Sequence, residues 1–219
     1  MKTLPAYKYL IEERQLTEET IRAFHLAHRD AKGMMYVDAD CTEPFPELDF
    51  RFNNAVLFPV FDLYGKCIGV SARPLTPGPD LPKYVNTSYE KADHLFGLNV
   101  AYPFCIKEKT AFVVEGNIDV AQMHQKGIKN VVGMLGSNFS VVQLGLLLGF
   151  VERVIFVPDG DMAGLNFMEK TKNTLLKRYK DVPMSFSFLM LPTGFDPDSY
   201  LKKFSKEEFL ALPQVEVKS

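Results

Sequence analysis

Cysteine is scarce in this chain. The three present, Cys41, Cys67 and Cys105, are widely spaced, form no Cys-x-x-Cys pair and have no histidine at zinc-finger distance. Reduced thiols and no structural zinc are therefore expected. The histidines, His25, His28, His94 and His124, are equally scattered and read as surface or packing residues rather than as ligands. Long apolar runs are also lacking. Nothing approaches the roughly 20 residues of a membrane span, and the opening Met1-Lys-Thr-Leu-Pro-Ala-Tyr-Lys has no hydrophobic core of a secretory signal. No membrane association and a cytoplasmic location are expected. Excess positive charge is missing as well: the formal net charge is −2, which argues against a domain that grips nucleic acid by overall electrostatics. That charge remains compatible with a local basic groove, or with a carboxylate-rich site neutralised by bound Mg²⁺.

What the chain does have is enough apolar residue, 47%, to bury a core of one large domain or two small ones. Its organising stretch is Arg153-Val-Ile-Phe-Val-Pro-Asp159-Gly-Asp161-Met-Ala-Gly164. The apolar run Val154 to Val157 is β-branched and aromatic, as in a strand covered on both faces of a parallel sheet, and Pro158 ends it. Beyond it Ala163, Phe167, Met168, Leu175 and Tyr179 recur near helical spacing, so the two acids fall in a strand-to-helix turn. Open α/β sheets place ligands at such turns. Carboxylates at i and i+2 point to one side, and Gly160 between them would let a phosphate or metal approach the backbone. The same residues also suit plain turn and helix-cap chemistry, Asp161 as N-cap above all.

In chain order, residues 5 to 26 read as two short helices. Tyr7, Leu10 and Ile11 form one face, and Thr17 caps the second helix. Glu12, Glu13, Glu18 and Glu19 make this pair too acidic for a DNA-reading helix-turn-helix. Residues 33 to 54 read as irregular. Ala55 to Arg73 reads as two strands joined by a tight turn at Tyr64-Gly65, followed by a proline-rich loop and Lys83-Tyr-Val-Asn86. Between Arg51 and Lys91 the chain is mildly basic, though any one of these cations is by default a solvated surface residue.

From Lys109 strands and helices alternate. Strands are expected at Ala111 to Val114, Asn130 to Leu135, Val154 to Val157 and Met184 to Leu191, with helices from Asn117 to Lys126, after Ser140 and after Asp161. This pattern predicts βαβ units in a mainly parallel sheet with flanking helices, preceded by a smaller mixed α+β subdomain. The expected division is 1–105, 106–205 and a tail, 206–219. Parallel strands would bring Glu115, the pair Asp159 and Asp161, and the pair Asp196 and Asp198 to one sheet edge, where they can share metal ions. Asp119, one helical turn beyond Glu115, is a candidate outer partner of such a site or a metal ligand itself, or simply a turn support.

Glu115-Gly-Asn-Ile-Asp119, Asp159-Gly-Asp161-x-Ala-Gly164 and Asp196-Pro-Asp198 resemble the three acidic motifs of the Toprim fold in bacterial DnaG-type primases. The likeness extends upstream through Phe58-Pro-Val, Arg73-x-Leu75, Pro82-Lys83-Tyr-Val-Asn86 and Tyr89-x-Lys91-x-x-x-Leu95-Phe-Gly97, and covers about residues 5 to 205. The resemblance implies a primase-type nucleotidyltransferase making short RNA primers from ribonucleoside triphosphates on single-stranded DNA. It implies Mg²⁺ or Mn²⁺ on Glu115, Asp159, Asp161, Asp196 and Asp198, with Glu115, Asp159, Asp161, Lys83 and Lys91 catalytic. Arg73, Lys83, Asn86 and Lys91 would contact template or nucleotide. The family's zinc-binding and helicase-interacting domains have no counterpart in this sequence, and Asn117 stands where the family commonly has an aromatic residue. The expectation is a minimal, phage-like or truncated primase in a bacterial cell or phage-infected host, with helicase and zinc module supplied in trans. A Toprim nuclease, or a non-catalytic nucleic-acid-binding subunit, are the alternatives the acids alone leave open.

Overall fold

A computed structural model describes residues 5–36, 45–76, 82–178 and 182–217. Cys41, Tyr179 and most of the proline-rich loop lie outside the described residues. The chain divides into two compact units, Met1–Glu90 and Lys91–Ser219.

The first unit opens with a helical turn, α1 (Pro5–Tyr7), that widens into a π-helical stretch, Lys8–Glu13. Ala6, Tyr9 and Leu10 are buried, whereas Tyr7 and Ile11, expected on one face with Leu10, are only partly covered. α2 (Glu18–Ala23) starts at Thr17, whose hydroxyl accepts the Thr20 N–H at 3.2 Å. Five antiparallel strands follow: β1 (Ala27–Arg29), β2 (Met35–Tyr36), β3 (Ala55–Phe61), β4 (Cys67–Pro74) and β5 (Val85–Asn86), ordered β2-β1-β3-β4-β5. The β3–β4 hairpin turns where expected, because the Asp62 carboxylate accepts the backbone N–H groups of Tyr64 and Lys66 at 2.9 and 3.0 Å. β3 is buried at every position and carries Ala55 and Leu57 into a core shared with Phe52, Val70, Ala72 and Val85.

The second unit contains α3 (Leu98–Glu108), β6 (Thr110–Val114), α4 (Asn117–Gln125), β7 (Val131–Gly133), α5 (Val141–Leu147), β8 (Arg153–Phe156), α6 (Met162–Arg178), β9 (Ser185–Leu189), α7 (Pro197–Leu201), α8 (Lys206–Leu210) and β10 (Gln214–Glu216). Its sheet runs β10-β9-β8-β6-β7. The four expected strands pair parallel, and β10 adds an antiparallel edge on β9. The apolar strand runs have the cause inferred for them: Val113, Val154 and Phe156 are buried, and Phe156 meets Phe139, Phe167 and Phe188 at ring distances of 5.0, 6.1 and 5.4 Å. In α6 the expected Phe167 and Leu175 are buried and Met168 packs against the same core, with Gly164 and Thr171 completing the face; Ala163 alone of the described expected positions is exposed. α3 packs on β6 and β7 and belongs to this unit, so the contacts divide the chain upstream of residue 105.

Cys105 lies fully buried on α3, and burial pushes its thiol up to about 12. The reactive thiolate at neutral pH is then roughly a thousandfold scarcer than on an ordinary cysteine. Alkylation of the native protein followed by peptide mass spectrometry should modify the half-buried Cys67 first and reach Cys105 only with denaturant. Equal labelling of both would contradict the packing of α3.

Candidate active site

Three adjacent parallel strands, β9, β8 and β6, end at one edge of the sheet, and the acids follow from those ends. β7 lies to one side of β6 and β8 to the other, so the chain reverses direction across the sheet between β6 and β8. In open α/β sheets that reversal opens a crevice at the carboxyl edge. Glu115 leaves β6 just before Gly116, which starts α4. On β8 the parallel register continues one residue past the strand, the Val157 N–H donating to the Val113 carbonyl at 2.9 Å. Asp159 follows at once.

The Asp159–Asp161 loop is fastened to the segment that leads into α7. The Gly160 N–H donates to the Phe195 carbonyl at 2.8 Å and the Gly194 N–H to the Gly160 carbonyl at 2.7 Å. A Cβ on Gly160 would collide with the Pro192 carbonyl oxygen. The glycine is thus required by its neighbouring loop, and the space reserved in the sequence reading for a phosphate or metal is filled by backbone. Asp161 is exposed and caps α6, its carboxylate accepting the Gly164 N–H at 2.8 Å. Asp196 caps α7, accepting the Ser199 N–H at 2.7 Å, and the Ser199 hydroxyl accepts the Asp196 N–H at 3.0 Å in return. Asp198 is 2% exposed and pairs with the Lys202 ammonium at 2.9 Å.

Asp119 is 8% exposed, its Oδ1 accepts the Asp198 N–H at 3.0 Å, and a Cβ on Gly116 would run into its carboxylate. Burial first, and then the charges of Asp196 and Asp159, hold its carboxyl well above the usual carboxylate range. The Asp198 N–H opposes that shift, and the Asp198 charge adds to it. Asp119, Asp159, Asp196 and Asp198 therefore share one electrostatic neighbourhood, assembled from α4, the β8 loop and α7. Among the described residues no group of three or more His, Cys, Asp or Glu side chains is arranged to hold a metal ion. The donor set itself, all carboxylate oxygens with concentrated like charge, is chemically suited to a hard divalent cation.

Asp119→Asn keeps the acceptor for the Asp198 N–H and removes the disfavoured charge. Because the folded state holds the Asp119 proton to higher pH than the unfolded chain, the associated stability is full below the ordinary carboxylate range. It is lost as pH rises through the raised folded value. In chelator at neutral pH, Asp119→Asn should melt above the native protein, with the difference shrinking as pH falls; a lower melting temperature would contradict the repulsion.

The basic residues divide between the units. In the first, the Arg73 guanidinium lies over the rings of Tyr9 and Tyr84 at 5.3 and 5.8 Å, Lys83 is exposed, and Asn86 accepts from the Tyr89 hydroxyl at 3.2 Å. Lys91 is half-buried in the second unit, at the start of a 3₁₀ turn, Lys91–Asp93. A cavity of about 480 Å³ in the second unit lies at the opposite end of β6, lined by Thr110, Asn130 and Lys107 among others, and none of the five candidate metal acids lines it. Sequence reasoning missed Lys202 and Gln143. The i,i+4 spacing of Asp198 and Lys202 was the available signal for the first, and the Ser140-x-x-Gln143 capping pattern for the second.

Residues 2–102 match the family described as the DNA primase catalytic core, N-terminal domain, and residues 109–185 match the Toprim domain. The DNA primase of Clostridium acetobutylicum is 30% identical over 226 residues, covering 94% of this chain but only 37% of its own length. The chain thus spans little more than a third of that relative. Among solved structures, a DnaG catalytic core superposes with a TM-score of 0.75 at 30% identity, over 94% of this chain and 71% of that one. A DnaG primase catalytic domain bound to ssDNA superposes with a TM-score of 0.76 at 29% identity, over 94% and 70%.

Proposed function

The chain belongs to the family of DnaG-type primase catalytic cores, and from that premise we propose that it joins ribonucleoside triphosphates into short RNA primers on single-stranded DNA. The observation that carries the reading is the shared neighbourhood of Asp119, Asp159, Asp196 and Asp198 at the carboxyl edge of the parallel sheet. In this reading Glu115, Asp159, Asp161, Asp196 and Asp198 hold Mg²⁺ or Mn²⁺. When bound, the ion stabilises charge on the pyrophosphate leaving group and activates the attacking 3′-hydroxyl. The protein's own contribution is placement. Gly160 holds the Asp159 loop against the chain entering α7, Asp119 fixes the Asp198 backbone, and Lys202 balances the Asp198 charge. Arg73, Lys83, Asn86 and Lys91 bind template or nucleotide phosphates, with Arg73 kept in one orientation by Tyr9 and Tyr84. Lys83 and Lys91 are catalytic residues in this reading, as are Glu115, Asp159 and Asp161. The two parts, 1–105 and 106–205, divide this work between basic contacts and acidic chemistry. A replicative helicase and a zinc-binding module, acting in trans, complete the assembly in a bacterial or phage-infected cell.

The test is divalent-metal-dependent incorporation of labelled ribonucleotides on single-stranded DNA carrying an annealed dinucleotide. Template-dependent extension that stops with chelator is expected. Shortening of labelled DNA instead would make the protein a nuclease, and DNA binding with neither activity would make it a non-catalytic subunit.

A further inference from the structure

Gln143 is fully buried in the first turn of α5, where its amide must find partners inside the protein. Its Nε2 reaches the carbonyl oxygens of Lys91 at 3.2 Å, His94 at 2.8 Å and Met134 at 2.6 Å. With two protons for three acceptors, one proton is shared. Its Oε1 accepts the Ser140 N–H at 3.0 Å, and its own N–H donates to the Ser140 hydroxyl oxygen at 3.0 Å. The Ser140 hydroxyl in turn donates to the Ala92 carbonyl. A capping box needs only the two reciprocal Ser140–Gln143 bonds. The remaining contacts hold three carbonyls of the stretch 91–94, and through Met134 they fix that stretch to the end of β7. The next anchor along the chain is Phe96, which exchanges backbone bonds with Gly133 at 2.8 and 3.0 Å. Upstream of residue 96, Gln143 and Ser140 both bind the Lys91–His94 backbone.

We propose that Gln143, with Ser140, is a positioning residue that fixes the backbone of Lys91 and so aims its ammonium at the nucleic-acid or nucleotide phosphate. The inference rests on the reading of Lys91 as a phosphate-binding cation of a primase. Gln143→Glu retains the acceptor for the Ser140 N–H but turns an acceptor toward the carbonyls of Lys91, His94 and Met134; Ser140→Ala removes only the Ala92 clasp and its share of the cap. Both variants, confirmed as folded by circular dichroism, are compared by hydrogen exchange of residues 91–96. Each is also made in the native and Lys91→Ala backgrounds, and primer extension and single-stranded DNA affinity are measured.

Faster exchange confined to residues 91–96 is expected, with Gln143→Glu lowering kcat/KM for extension roughly tenfold in the native background and less than about twofold in Lys91→Ala. Ser140→Ala should follow with a smaller loss of the same kind, which keeps the test decisive if Gln143→Glu does not fold. Equal factors in both backgrounds, or unchanged exchange at 91–96, would show that the amide serves stability alone. If the native protein extends no primer, the primase reading fails separately, and the same cycle in DNA affinity decides whether Gln143 acts through Lys91.

Discussion

Asp159→Asn is expected to lower metal-dependent ribonucleotide incorporation by roughly a hundredfold or more, while the metal-free protein melts no lower than the native one. The two halves have one cause. Asp159 leaves β8 one residue past Pro158, half-buried, at the point where its charge reaches Asp119. Asparagine has the same shape and keeps an acceptor oxygen, but removes one of the like charges crowded at this edge. Without metal, that removal relieves repulsion. With metal, it deletes a ligand from the proposed set. Primer extension and thermal melting in chelator, run on the same preparations, check both halves. Retained activity would remove Asp159 from the chemistry, and a large drop in melting temperature would make its role structural.

Gly160→Ala should cost about 3 kcal/mol of stability and reduce incorporation as severely as loss of an acid, although no charge is touched. The added Cβ would lie against the Pro192 carbonyl, a backbone atom that cannot swing aside as a side-chain tip can, and it also meets the Phe195 carbonyl at 3.1 Å. Relief requires the Asp159 loop and the chain entering α7 to separate, breaking the Gly160–Phe195 and Gly194–Gly160 bonds. Urea unfolding and extension assays measure the two effects. A stable, active Gly160→Ala would show that these loops tolerate separation and that their spacing does not set the site.

Much of the acidic edge was legible in the sequence because parallel strands covered on both faces leave a strong trace. Val154 to Val157 and Ala111 to Val114 are short, continuously apolar and followed by acid and glycine, and their order alone put Glu115 and Asp159 at one edge. Caps were legible for the same local reason: Thr17, Ser140 and Asp161 each accept an N–H three residues on. What stayed hidden depends on partners distant in sequence. Gly160 looked like an opening for a ligand because nothing local announces Pro192. The burial of Asp119 was hidden because it packs against α7, far along the chain. Two of the carbonyls that Gln143 binds, those of Lys91 and His94, lie about fifty residues upstream, beyond the reach of any local pattern. β10, Gln214-Val-Glu216, is exposed at every position and offers no apolar alternation, so only its pairing with β9 reveals it. The π-helical stretch Lys8–Glu13 was not legible either, since a change of pitch is invisible to a fixed helical period.

The most direct measurement is a titration of Mn²⁺ against native protein, Asp159→Asn and Gly160→Ala, following free Mn²⁺ by electron paramagnetic resonance without nucleic acid or nucleotide. Saturable binding to the native protein, weakened roughly tenfold or more in both variants, is the predicted result. Isotherms that coincide for all three would show that the acids at the carboxyl ends of β6 and β8 and at the start of α7 do not form the metal site.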